Sequence, residues 1–136
     1  MVNIDIEYLG DLHCKCIHGP SGQEFFTDAP VDNRGKGEFF SPTDLLATAS
    51  ASCIATIMGI KAEDNNIDIK GMKISVLKEM IDIPYRRVKK LIYKITFPHK
   101  LNQKDYTIMK NVIKSCPVTR SLSQDVELDV TYEFAE

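Results

Sequence analysis

The chain has 136 residues, 43% of them hydrophobic and 26% charged, which suits a single domain, residues 1–136, with a sizeable core. Its formal charge of -2 supplies no field for drawing in nucleic acid or an anionic membrane surface, so neither is expected as a partner. The four cysteines come without a secretory leader, since Met1 runs directly into the alternating stretch Val2–Leu9. A reducing, cytoplasmic setting is therefore expected, with buried thiols, catalytic thiols or metal ligands in place of disulfide staples.

In chain order, Val2, Ile4, Ile6 and Tyr8 alternate with Asn3, Asp5 and Glu7, which predicts a half-buried strand. Gly10-Asp11 predicts a hairpin turn into a second strand, Leu12–His18. Gly19-Pro20-Ser21-Gly22 breaks the chain before a third strand at Gln23–Thr27. The run Asn33-Arg34-Gly35-Lys36-Gly37 predicts a mobile, polar tip on the loop Asp28–Phe40.

Ser41–Lys61 then reads as a long helix. Ser41 is placed as N-cap, Pro42 stands where a first-turn proline removes no needed N–H, and Asp44 completes a capping-box pattern. Leu45, Ala49, Cys53, Ile57 and Ile60 recur at helical spacing, and Leu46, Ile54 and Met58 fill a second face. A helix apolar on most sides is expected to be buried. Its length and its Ser/Thr content argue against a bilayer span.

The helix is expected to fray near Ala62–Asn66. Two strands follow, Ile67–Ile81 and Tyr85–Phe97, joined around Pro84, with Arg86, Arg87, Lys89 and Lys90 forming a solvated strand face. Past Leu101-Asn102, the spacing of Tyr106, Met109, Val112 and Ile113 predicts a helix. Ser115-Cys116-Pro117 interrupts it, a short helix Val118–Leu122 follows, and Val126 to Phe134 alternate as a last strand. Strands grouped around helices, without regular strand–helix alternation, imply an α+β fold with antiparallel sheets around a long central helix. That helix needs more cover than one small sheet gives, which favours an intertwined homodimer.

Cys14 and Cys16 share one side of a strand, but His13 and His18 cannot both join them there. No second Cys/His pair has zinc spacing, so half-buried cysteines and no metal site are expected. Cys116 precedes a proline that opens a helix, where free N–H groups and the positive helix end lower a thiol pKa. An ordinary thiol of pKa ~8.5 is only about 3% thiolate at pH 7, so such a shift matters. Helix-end electrostatics favour Cys116 as nucleophile and Cys53 as a structural cysteine; spacing alone is equally compatible with two core cysteines.

Ser41-Pro42-Thr43-Asp44-Leu45-Leu46, followed by Ala51-Ser52-Cys53, resembles the helix signature of the OsmC/Ohr family (osmotically inducible protein C and organic hydroperoxide resistance protein). Ser115-Cys116-Pro117-Val118 resembles its second signature, and the order of elements matches along the whole chain. SPTDLL is closer to the general OsmC-like branch than to the namesake groups. The resemblance implies an intertwined homodimer and thiol-dependent reduction of organic hydroperoxides. It makes Cys53 the peroxidatic and Cys116 the resolving cysteine, with no bound cofactor and an external dithiol as reductant, in a role in oxidative stress defence. The namesake groups carry Glu after the helix proline, where this chain has Thr43 and then Asp44. They also carry an activating Arg in the first hairpin, where this chain has Gly10-Asp11. Replacement cations are Arg34, Arg86, Arg87 or Arg120. The rival readings are a non-catalytic member binding an apolar small molecule in the dimer-interface pocket, and a metal-binding or thiol-sensing protein using Cys14 and Cys16.

Overall fold

The alternating residues at the start of the chain form β1 (Ile4–Gly10), which pairs antiparallel with β2 (His13–His18), itself paired antiparallel with β3 (Glu24–Asp28). A computed structural model describes residues 1–135, and the chain divides into two units, Met1–Leu46 and Ala47–Glu136. The first hairpin turns on Asp11 and Leu12, at φ 52 and 63, one residue later than Gly10-Asp11 predicts. Two successive positive φ values give the turn a twist that matches the strands it joins. Gly10, at φ 87, pairs with His13 across a register shift beside Leu9.

The loop after β3 has the expected polar tip, but it is tied down. Asp28 is buried, and its Oδ2 accepts from the backbone N–H of Lys36 at 3.2 Å and of Glu38 at 3.1 Å. Asn33 and Gly35 both donate to the Pro30 carbonyl, and Gly37 donates to that of Ala29. A Cβ on Gly35 would overlap the Ala29 carbonyl, so the turn admits no side chain there.

The central helix, α1 (Pro42–Asp64), begins with the expected reciprocal cap. Asp44 N–H donates to Ser41 Oγ at 3.1 Å, and Ser41 N–H donates to Asp44 Oδ2 at 2.9 Å. With 23 residues it runs about 35 Å, so shortness is no argument against a bilayer span. By length and composition alone it is long and apolar enough for one. What marks it as a core helix is a single buried face made by Ala47, Ser50, Ala51, Ile54, Met58 and Ala62. Burial on most sides is not seen within the chain: Ile60 on another face is 56% exposed.

The second sheet has the order β4 (Lys73–Ile81), β5 (Arg87–Phe97), β6 (Glu127–Phe134). β4 starts later than the apolar pattern predicts. A side-chain turn from Asp68 to Lys70 N–H and the positive φ of Gly71 occupy the residues before it. β5 is the central strand, and Val88, Leu91, Tyr93, Ile95 and Phe97 on it are buried. β4 and β5 pair antiparallel, whereas β5 and β6 pair parallel, from Lys90 opposite Glu127 to Phe97 opposite Phe134. The expectation of purely antiparallel sheets is corrected here. A parallel pair needs a long crossover, supplied by α2 (Gln103–Val112), a 3₁₀ turn at Ile113–Ser115 and α3 (Pro117–Ser121).

Asn102 caps α2 by accepting from Asp105 N–H at 2.8 Å. Tyr106 then packs edge-on against Phe97 and Tyr132, with ring centres 6.4 and 5.8 Å apart. The basic cluster forms part-exposed ion pairs: Arg86 with Asp82 at 3.2 Å, Lys89 with Glu79 at 3.4 Å, Lys90 with Asp129 at 3.7 Å. Pairs of this kind add at most about 1 kcal/mol each.

Candidate functional site

Cys53 lies midway along α1, next to the buried face, and is itself half-buried. Cys116 is completely buried and is the residue from which α3 starts, with Pro117 at the first helical position. Proline suits that position because its missing N–H is one the helix leaves unpaired in any case. The next free N–H groups, of Val118 and Thr119, lower the Cys116 thiol pKa.

The two thiols act on each other, and their mutual interaction raises Cys53 and lowers Cys116. Burial pushes the Cys116 thiol up. The Thr119 N–H, the Cys53 thiol, the Thr119 hydroxyl and the Val118 N–H together outweigh it and hold Cys116 below the ordinary thiol range. For Cys53, burial also pushes up, the Val118 N–H pulls down, and the hydrogen bond and charge of Cys116 push up again. It ends above the ordinary range. Helix-end electrostatics act on Cys116 in the direction expected of a thiol that opens a helix. All four cysteines are free.

Beside the pair, Ser50 on α1 and Tyr93 on β5, both without exposed surface, meet Oγ to Oη at 2.5 Å. Burial pushes the Tyr93 phenol up, the Ser50 hydrogen bond pulls it down, and the charge of Cys116 pushes it up further. Sequence reasoning read Tyr93 only as part of the strand Tyr85–Phe97 and missed this link. The signal was there: a buried tyrosine hydroxyl usually has a polar partner, and Ser50 is the serine facing the core.

The other sequence candidates lie in varied settings. Thr43 Oγ1 is 3.2 Å from Ser41 Oγ, and the Asp44 carboxylate receives the Ser41 N–H, so both belong to the helix cap. Arg34 ends the 3₁₀ turn Val31–Asn33 at φ 72. Arg86 pairs with Asp82, and Arg87 Nη1 donates to the carbonyls of Val88 and Asp125 at 3.2 and 3.3 Å. Arg120 sits on α3, donating its side-chain Nε to Lys114 O and its backbone N–H to Cys116 O, each at 3.0 Å. The shifts of the two thiols trace to burial, to hydrogen bonds and to each other.

Cys16 is buried, and burial followed by the nearby Cys14 pushes its thiol up. It lines an apolar hollow of about 380 Å³ with Ile4, Ile6, Ile17, Phe25 and Leu45. His18 hydrogen-bonds Ser21 Oγ at 2.6 Å. The donors that do converge are His13, Asp28 and Glu38, with ligand atoms all within 4.8 Å of one another. They are spread over the hairpin and the following loop, and no motif announces them.

The sequence matches the OsmC-like protein family over residues 35–131. Among solved structures it is similar to a Psychrobacter arcticus 273-4 protein named for osmotic stress induction and detoxification response. Identity is 47% over 98% of this chain and 96% of that one, with a TM-score of 0.92. An OsmC-like protein from Mycoplasma pneumoniae shares the fold at 15% identity and a TM-score of 0.83, covering 100% of this chain and 98% of its own. An organic hydroperoxide resistance protein from Elizabethkingia anophelis does so at 12% identity and a TM-score of 0.81, covering 99% and 96%. No curated protein matches the sequence. With both cysteine signatures inside the matched span and the fold shared from end to end, this chain belongs to the OsmC-like family.

Proposed function

We propose that the protein reduces organic hydroperoxides with Cys53 and Cys116 as its dithiol. The observation that carries this reading is the mutual influence of a half-buried thiol on α1 and a buried thiol at the start of α3. Cys53 has the exposure to meet a substrate, whereas Cys116 has the lower pKa. Their coupling reconciles the two, because in this reading the lower-pKa Cys116 serves as base for the Cys53 thiol. The Cys53 thiolate then attacks the peroxide O–O bond; the alkoxide leaves, takes up a proton as the alcohol, and Cys53 becomes a sulfenic acid. The Cys116 sulfur displaces water from that sulfenic acid, forming the Cys53–Cys116 disulfide, and an external dithiol reduces it in two exchange steps.

The working form in this reading is a homodimer. The apolar residues left exposed on β1 (Ile4, Ile6 and Tyr8) and on α1 (Ile60) support it. Four free thiols support a reducing compartment such as the cytoplasm. Relatives named organic hydroperoxide resistance proteins support the substrate class.

The test is thiol counting with peptide mapping before and after one equivalent of cumene hydroperoxide. The expected products are a Cys53–Cys116 disulfide in wild type, a trappable Cys53 sulfenic acid in Cys116→Ser, and neither in Cys53→Ser. Thiols left unchanged under excess peroxide would overturn the proposal. They would favour the second reading, reversible binding of an apolar small molecule, for which the hollow beside Cys16 is the supporting observation.

A further inference from the structure

His13, at the start of β2, has its ring fixed from one side. Nδ1 lies 2.8 Å from the Asp11 carbonyl oxygen, a contact that only an N–H makes favourably, so Nδ1 carries the proton. In the neutral ring Nε2 then presents a lone pair. It faces Asp28 Oδ2 at 3.6 Å and Glu38 Oε2 at 3.4 Å. Three electron-rich atoms turned toward one another need a cation between them.

Both separations from Nε2 match a tetrahedral ion. With bonds of about 2.1 Å its ligand atoms stand about 3.4 Å apart. An octahedral ion of magnesium size would draw them to about 3.0 Å. One imidazole with two carboxylates is also a donor set suited to zinc-class ions.

Asp28 supplies an independent sign. It is 1% exposed, and while Oδ2 receives two backbone N–H groups, Oδ1 is buried without a hydrogen-bond partner. A buried carboxylate left short of partners is unfavourable, and a cation on its Oδ2 offsets the charge of the whole group. The Asp11 carbonyl behind His13 is the kind of outer partner that orients a ligating imidazole. Glu38, with its side chain 50% exposed, leaves the site open to solvent for a fourth ligand.

We propose that His13, Asp28 and Glu38 hold a divalent cation of the zinc class, with water completing a tetrahedron. The ion would pin the loop Asp28–Phe40 to the β1–β2 hairpin immediately before the cap of α1, a structural role separate from the thiol chemistry.

The test is zinc titration of chelator-stripped protein at pH 7 against a chromophoric competitor, in wild type, His13→Ala, Glu38→Gln and Cys16→Ser. X-ray absorption of the zinc-loaded wild type reads the ligand atoms. The expected result is one equivalent per chain with only nitrogen and oxygen around zinc. Affinity should fall at least about tenfold, the low end for losing even an outer partner, in both ligand variants and stay unchanged in Cys16→Ser. Absence of uptake, sulfur in the zinc shell, or affinity indifferent to Glu38→Gln would overturn the proposal. Glu38→Gln alters a part-exposed side chain and keeps the test valid should His13→Ala fold poorly.

Discussion

The Ser50–Tyr93 contact gives a stability prediction whose sign pattern, as well as its size, is fixed by the structure. Both hydroxyls are fully buried and meet at 2.5 Å. Ser50→Ala strands the phenol, and a buried polar group without its partner costs about 1–3 kcal/mol. Tyr93→Phe strands the serine instead, but a helical serine turns back to the carbonyl four residues earlier. Its cost should sit at the low end, about 1 kcal/mol. Unfolding entropy of about 2.1 cal/mol/K per residue, over 136 residues, converts 1 kcal/mol to a Tm change of about 3–4 °C. The expected falls are thus about 3–10 °C for Ser50→Ala and about 3–4 °C for Tyr93→Phe. The double variant removes both polar atoms together and should melt above Ser50→Ala. Thermal unfolding by circular dichroism, at one fixed protein concentration, measures all four proteins. Additive falls in the double variant would refute the reasoning, because they would mean the two hydroxyls act on stability independently.

Two further predictions follow from the site and from the helix cap. Ultraviolet thiolate absorbance should show the Cys116 step below and the Cys53 step above the ordinary thiol range. Cys53→Ala should raise Cys116, which loses a donor, and Cys116→Ser should lower Cys53, which loses an acceptor and a neighbouring charge. By linkage, the stability contributed by Cys116 is complete above the ordinary thiol pKa of about 8.5 and fades as pH falls through its lowered value; that from Cys53 has the opposite sign. At the cap, Ser41→Ala removes the acceptor for Asp44 N–H and should cost about 1 kcal/mol, read as the shift of a urea midpoint. Asp44→Ala should also destabilise while leaving the two thiol steps in place; a moved Cys53 step would show instead that Asp44 acts on the thiol.

What was legible in the sequence was local. Ser41 and Asp44 announce a helix start because their hydrogen bonds are made within one turn, and Cys116-Pro117 announces another for the same reason. Alternation from Leu91 to Phe97 gave a strand because neighbouring side chains must point to opposite faces. The direction in which β6 joins β5 left no mark, since a strand alternates identically in a parallel or an antiparallel pair. The Ile67–Met72 stretch misled because its apolar residues fit a strand, whereas Gly71 takes a positive φ that no strand uses. Of the candidate site, the helix start at Cys116 was visible in the sequence, but the mutual influence of Cys53 and Cys116 was not, because only the fold brings it about. His13, Asp28 and Glu38 were invisible as a group, because only the folded hairpin and loop bring them together.

The parallel pairing of β5 and β6 also dates the thiol site within folding. Lys90 must find Glu127 across the whole α2–α3 crossover, and contacts so distant in sequence form late because the entropy of closing the loop is lost first. The α1 turns around Cys53 and the β4–β5 hairpin rest on nearer contacts and need not wait. Cys116 lies inside the crossover itself, so the thiol pair is assembled only when the crossover closes. A chain still emerging or partly folded keeps the two sulfurs apart. The pairing of the two thiols thus depends on the crossover as well as on α1.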